Sequence, residues 1–176
     1  MKILAVVLLM AVLSIGANLA LALTDDATAV ITCTVATIVE WDHLAVNPDN
    51  FETIAIAPIT NQADTPSASK SLVLYTNCDL DITADNTAAA QLTKTTDTLV
   101  TEYKLEYDGA GVTDTGGSTV DWTEYDTFLS GAGSAVTHVT LDGAVNVTLS
   151  ARASNDAGNV ADAGNYTATQ TLTATF

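Results

Sequence analysis

From residue 29 onward, apolar and polar residues alternate in short runs, and no long stretch keeps the 3.6-residue spacing of a helix. Within residues 29–41, Ala29, Ile31, Cys33, Val35, Val39 and Trp41 share one phase. Further runs of strand character occupy residues 51–59, 71–75, 80–83, 99–107 and 120–128. Asp142-Gly143 lies between the runs 135–141 and 145–153 and predicts a two-residue hairpin there, since Asp-Gly accepts the left-handed backbone of a type I′ turn. The clearest strand is residues 166–176. Its even positions are Tyr166, Ala168, Gln170, Leu172, Ala174 and Phe176, and its odd positions from 167 to 175 are all threonine. One mainly apolar face and one β-branched polar face suit a half-buried strand. A helix is expected only at residues 87–92, around three alanines, and it is short. Clusters of Gly, Asn and Asp separate the runs, so the pattern predicts an all-β antiparallel sandwich.

The amino terminus follows another rule. Met1-Lys2 and the apolar run 3–17 read as the charged and apolar regions of a secretory signal peptide, shorter than the roughly 20 residues of a membrane span. A signal anchor is the rival, since Leu19, Leu21 and Leu23 lengthen the run. Small-x-small cleavage points follow Ala17 and Ala22, so the leader is residues 1–17 or 1–22. The early site leaves the three leucines on the exported chain and the late site keeps only Leu23. Either site removes Lys2, leaving four basic against 21 acidic residues and a charge of −17. The chain is then secreted, and it meets the membrane only during export. In an oxidising compartment the two cysteines, Cys33 and Cys78, imply a disulfide. Closing that 45-residue loop stabilises a fold by roughly 4 kcal/mol on the chain-entropy model.

Composition narrows the function. Charged residues make up 15% of the chain, against roughly 25% in ordinary soluble domains, and nearly all are acidic. A nucleic-acid binder is excluded, because phosphate neutralisation needs lysine and arginine. A hydrophobic fraction of 48% excludes a disordered chain.

Cys33 in the first run, Ser71-Leu-Val-Leu-Tyr-Thr-Asn-Cys78, Leu99-Val-Thr-Glu-Tyr-Lys-Leu-Glu-Tyr-Asp-Gly109 with Trp122 after it, and the closing Ala163-Gly-Asn-Tyr-Thr-Ala-Thr-Gln-Thr-Leu-Thr-Ala-Thr-Phe176 carry a resemblance. Together they resemble the secreted pilin-like proteins of the spore-coat-U and archaic chaperone–usher kind, most specifically in the closing strand. Two departures stand out. Leu44-Ala-Val-Asn-Pro48 replaces the family's Phe-Gly element, and its mid-domain basic residue is missing. The resemblance implies an incomplete immunoglobulin-like sandwich over residues 32–176, whose missing strand is supplied by the amino-terminal segment of the next subunit. The function implied is a structural subunit of an extracellular filament, pilus or surface coat, with itself as partner and an assembly chaperone and usher as helpers. The donor segment is then residues 18–31, with Leu19, Leu21, Leu23, Ala27, Ala29 and Ile31 in one phase. The rival reading makes residues 27–31 the start of the domain's own first strand.

No catalytic residue is assigned. His43 and His138 are the only histidines; Asp42 beside His43 does not place a carboxylate behind its ring, and His138 reads as a surface or edge residue. No cofactor is expected. Calcium is the one candidate ion, at Asp156, Asn159 and Asp162, although Asn and Asp in such loops ordinarily make turns. Asn146-Val-Thr148 and Asn165-Tyr-Thr167 are glycosylation sequons whose asparagines face away from the expected core. Trp41, Trp122, Tyr103, Tyr107 and Tyr125 offer an alternative function: a secreted adhesive or carbohydrate-binding module that stacks sugars on an aromatic platform.

Overall fold

The structure is a computed structural model that describes residues 27–42 and 50–176. The leader, Leu19, Leu21, Leu23 and His43 lie outside the described residues. The chain divides into residues 1–35 and a larger unit, Ala36–Phe176. In the first, residues 27–35 are exposed and in no ladder, with Val30 94% and Ile31 91% exposed.

The larger unit is all-β and antiparallel. In chain order its strands are β1 (Val39–Trp41), β2 (Ser67–Thr76), β3 (Leu80–Ala84), β4 (Thr93–Lys94), β5 (Asp97–Thr98), β6 (Val100–Tyr107), β7 (Gly116–Gly117), β8 (Val120–Glu124), β9 (Ser134–Thr137), β10 (Ala144–Ser154) and β11 (Leu172–Thr175). One sheet has the order β1-β2-β10-β6-β8, a second has β11-β3-β9-β7, and β4 and β5 form a small ribbon. Alternation decides which side chains go inward. Leu72, Leu74, Leu105, Val145, Val147 and Leu149 of the first sheet are buried, as are Leu80, Ile82 and Val136 of the second. Residues from the two sheets meet in one cluster, closed by Tyr103 and Phe128, whose ring centroids are 5.5 Å apart.

Four expectations need correction. The closing run 166–176 is a strand only over Leu172–Thr175, and in the part before it only the isolated Thr93–Thr167 bridge pairs the chain. The first run pairs with β2 only from Val39 on, so residues 29–38 are not strand. Asn77 sets that start: its Nδ2 donates to the Ala36 carbonyl and its Oδ1 accepts from the Ile38 N–H, both at 2.8 Å. Residues 51–59 form no ladder, although Phe51, Ile54 and Ile56 pack on the core. The run 135–141 does not form a hairpin with 145–153. β9 pairs with β3 and β7, β10 pairs with β2 and β6, and only a single bridge, Val139 to Asp142, spans the turn. The apolar inward faces of β9 and β10 serve different sheets, which outweighs the local turn preference. The expected helix is one 3-10 turn, Ala88–Ala90, started by the Thr87 hydroxyl accepting from the Ala89 N–H.

The ends of the strands define two poles. At the first, β1 begins, β2 and β11 finish, and the loops 108–115 and 138–143 meet. Gly109 and Gly116 approach so closely there that a Cβ on Gly116 would lie 2.0 Å from the Gly109 carbonyl oxygen, so only glycine fits. The second pole carries the start of β2, the end of β10, the 3-10 turn and the loop 155–165.

Candidate functional site

A groove of about 370 Å³ is bordered by β1 and by residues 168–172, the approach to β11. Leu72, Leu149, Ala151 and Tyr103 line it from the first sheet, with Trp41, Phe51, Ile54 and Ile56 along one wall. Trp41 and Phe51 meet with their rings tilted at 60° and centroids 5.9 Å apart. Among the described residues, β1 has β2 as its only ladder partner and β11 has only β3. Among these residues each therefore has one edge without a ladder partner, and Trp41 and Leu172 bring the two strands to the groove. An edge of that kind offers backbone N–H and C=O groups to an incoming chain. Gln170 borders it too. Its Oε1 accepts from the Thr171 N–H at 3.0 Å, while its Nε2 is shielded from solvent with no hydrogen-bond partner. An unsatisfied buried donor costs stability until an acceptor arrives.

The wall at residues 168–172 is anchored from behind. The Tyr166 hydroxyl donates to Asp97 Oδ2, which also accepts from the Asp162 N–H at 2.6 Å, and Lys94 Nζ donates to the Ala163 carbonyl at 2.6 Å. The Thr93–Thr167 bridge continues the attachment. The Tyr166 hydroxyl, joined by the Asp162 N–H, holds the Asp97 carboxyl below the usual carboxylate range. A lowered folded-state value means this contribution is present above about pH 4 and is lost as the pH falls further. The protection factors of the Thr167 and Thr169 amides, taken relative to the intrinsic exchange rate at each pH, should therefore fall on acidification before those of the core amides do. Asp97→Asn should show fast exchange at neutral pH already; equal protection in the variant would remove Asp97 from this role.

Comparison with protein-family models, with curated proteins and with solved structures finds no match for this chain.

Of the expected donor residues, Ala27, Ala29 and Ile31 lie in the exposed segment outside the ladders. The expected disulfide is not formed: Cys33 and Cys78 are both free thiols, Cys33 exposed and Cys78 half-buried with its sulfur 3.6 Å from the Thr76 hydroxyl. The strand that was to carry Cys33 alongside β2 starts only at Val39.

The candidate calcium residues serve the loop itself. Asp156 Oδ1 accepts from the Ala157 N–H at 2.7 Å, the Asp156 carbonyl accepts from the Asn159 N–H at 3.0 Å, and the Asp162 carbonyl accepts from Tyr166 at 2.8 Å. Among the described residues no group of three or more His, Cys, Asp or Glu side chains is gathered for a metal. Both sequon asparagines are exposed, and Asn146 Nδ2 donates to Asp108 at 2.6 Å. His138 is half-buried just after β9, its N–H donating to Asp79 at 2.8 Å.

The aromatic residues do not make one platform. Trp41, Tyr103, Tyr107 and Tyr125 belong to the core or pack on it. Trp122 stacks under the Arg152 guanidinium at 4.7 Å, and Arg152 in turn grips Glu102 through Nε and a terminal nitrogen at 2.7 and 2.8 Å. Sequence reasoning missed the groove walls at Phe51, Ile54 and Ile56, and missed Gln170. The only signal for them was a β-like run whose alternation breaks at Glu52-Thr53.

Proposed function

We propose that this protein is a secreted structural subunit of an extracellular filament or coat, assembled by strand addition between copies. It is read as an immunoglobulin-like sandwich one strand short, whose open groove receives the amino-terminal arm of the next copy. The observation that carries this is the groove itself: among the described residues, two strands each with one edge lacking a ladder partner reach an apolar floor, and a buried amide donor lies beside it.

The arm has a matching pattern. Leu19, Leu21, Leu23, Ala27, Ala29 and Ile31 fall in one phase, with Thr28, Val30 and Thr32 in the other. A strand laid beside β11 with the first set inward fills the groove. Its threonines then continue the outward row of Thr171, Thr173 and Thr175. Main-chain bonds give such an addition its affinity and alternate side chains its specificity. Burying Ile31, now almost fully exposed, contributes about 2 kcal/mol. The excess of acidic side chains keeps unassembled copies apart, since like charges repel. Assembly needs no cofactor and turns nothing over; a dedicated chaperone and usher are the proposed helpers during export.

Electron microscopy of the purified chain, with and without residues 18–31, tests the reading. Filaments are expected from the full chain and only monomers from the deletion. Filaments that persist without the arm remove the donor role.

A further inference from the structure

Leu141 is 101% exposed and its backbone sits in the left-handed region, φ +71°. A leucine there is strained, and it recovers nothing by packing within its own domain. It is not alone. Val112 on the neighbouring loop is 81% exposed and Phe176 is 77% exposed at the same pole. The two loops are clipped together: the Thr115 N–H donates to Asp142 Oδ2 at 2.6 Å, the Thr115 hydroxyl bonds the Asp142 carbonyl, and the Val139 N–H donates to that hydroxyl at 2.9 Å. Gly111 N–H, bonded to the Asp114 carbonyl at 2.8 Å, tightens the turn that presents Val112. A rigid mount thus displays apolar tips on a chain with a net charge of −16.

The occupant follows from where the chain enters the larger unit. Ala36 is tied to Asn77 at this first pole, so the arm departs from it. The groove lies in the other half of the domain: its lining residues Leu149 and Ala151 pair with Lys70 and Ala68 near the start of β2, and Leu92 and Ala168 belong to the second pole. An arm leaving one copy at the first pole therefore reaches the next copy at its second pole. That pole carries its own exposed apolar residue, Val160, 70% exposed in the loop 155–165.

We infer that the first pole, through Val112, Leu141 and Phe176, docks on the second pole of the next copy around Val160. This inference rests on the strand-addition reading. The end contact stiffens the assembly, where an arm alone would leave it jointed. Both poles are acidic, with Asp79, Asp108, Asp114 and Asp142 on the first and Asp156 and Asp162 on the second. Salt screens that repulsion, so assembly strengthens as ionic strength rises.

The test compares the full chain, full-chain Leu141→Asn and the chain lacking residues 18–31 by sedimentation over a concentration and salt series. Asparagine tolerates the left-handed backbone, so the variant's melting temperature should equal or exceed that of the parent. Its assembly should nevertheless need about tenfold more protein. Unchanged assembly in Leu141→Asn, with the arm deletion monomeric, overturns the end contact and leaves strand addition standing. Assembly that survives the deletion but weakens in Leu141→Asn supports the end contact and overturns strand addition. A full chain that stays monomeric throughout overturns both.

Discussion

Raising the pH from about 10 towards 12 is expected to unfold the larger unit, with loss of about 5 kcal/mol of stability. The cause is two inward-facing phenols. Tyr103 is 4% exposed, stacks on Phe128 and donates its hydroxyl to the Ala90 carbonyl at 2.7 Å. Tyr107 is half-buried and donates to the Ser134 hydroxyl at 2.9 Å. Burial pushes both up to about 12 from an ordinary value of 10. A folded-state value above the unfolded one means the neutral form is what the fold favours. The contribution is complete below pH 10 and disappears as the pH climbs through 12, because each tenfold difference in proton affinity between folded and unfolded chain is worth about 1.4 kcal/mol.

A loss of that size is comparable with the whole stability of a small domain. Denaturant melts at rising pH, followed by tyrosinate absorbance and circular dichroism together, should show ionisation and unfolding coincide. The double variant Tyr103→Phe and Tyr107→Phe should lose about 1–2 kcal/mol at neutral pH, from the abandoned hydrogen bonds, yet resist the alkaline transition. An unchanged alkaline midpoint in that variant would show that other groups drive the unfolding.

On the strand-addition proposal, filling the groove should weaken assembly without unfolding the chain. Ala151 and Ala153 are inward-facing residues of β10, 6% and 3% exposed, but only Ala151 borders the groove. Ala151→Phe directs a ring into about 370 Å³ of open space, so its melting temperature should stay close to that of the parent. The same ring would take the place proposed for the arm's apolar side chains, and assembly should then weaken by about a hundredfold, the equivalent of losing one well-buried large residue. Ala153→Phe has no such space and should cost about 1–3 kcal/mol of folding stability through overpacking. Calorimetry and sedimentation on the two variants give the comparison. Equal assembly of Ala151→Phe and the parent would mean that this groove is not where copies join.

Residue spacing by itself determined the class of the fold and the direction in which most strands face. β2, β6 and β10 each carry apolar residues at alternate positions, and those are the ones found buried, because a strand's two-residue period leaves each side chain one face to choose. The same holds in β11, where Leu172 and Ala174 pack on the core and Thr173 and Thr175 are exposed. Pairing was not legible. Asp142-Gly143 has the residues of a hairpin turn, yet β9 and β10 diverge into different sheets because their inward faces are satisfied by different neighbours.

The start of β1 was likewise hidden, since the phase of residues 29–38 is as regular as that of Val39–Trp41. The carbonyl and amide of Asn77, 39 residues beyond Ile38, decide where the pairing with β2 begins. The groove could not be seen in the sequence, because its walls come from residues 41, 51–56 and 168–172, which converge only when the sheets close on one core. Periodicity is a property of neighbours along the chain, so the sequence discloses faces; an open edge is a property of what fails to sit beside a strand, and only the tertiary structure decides that.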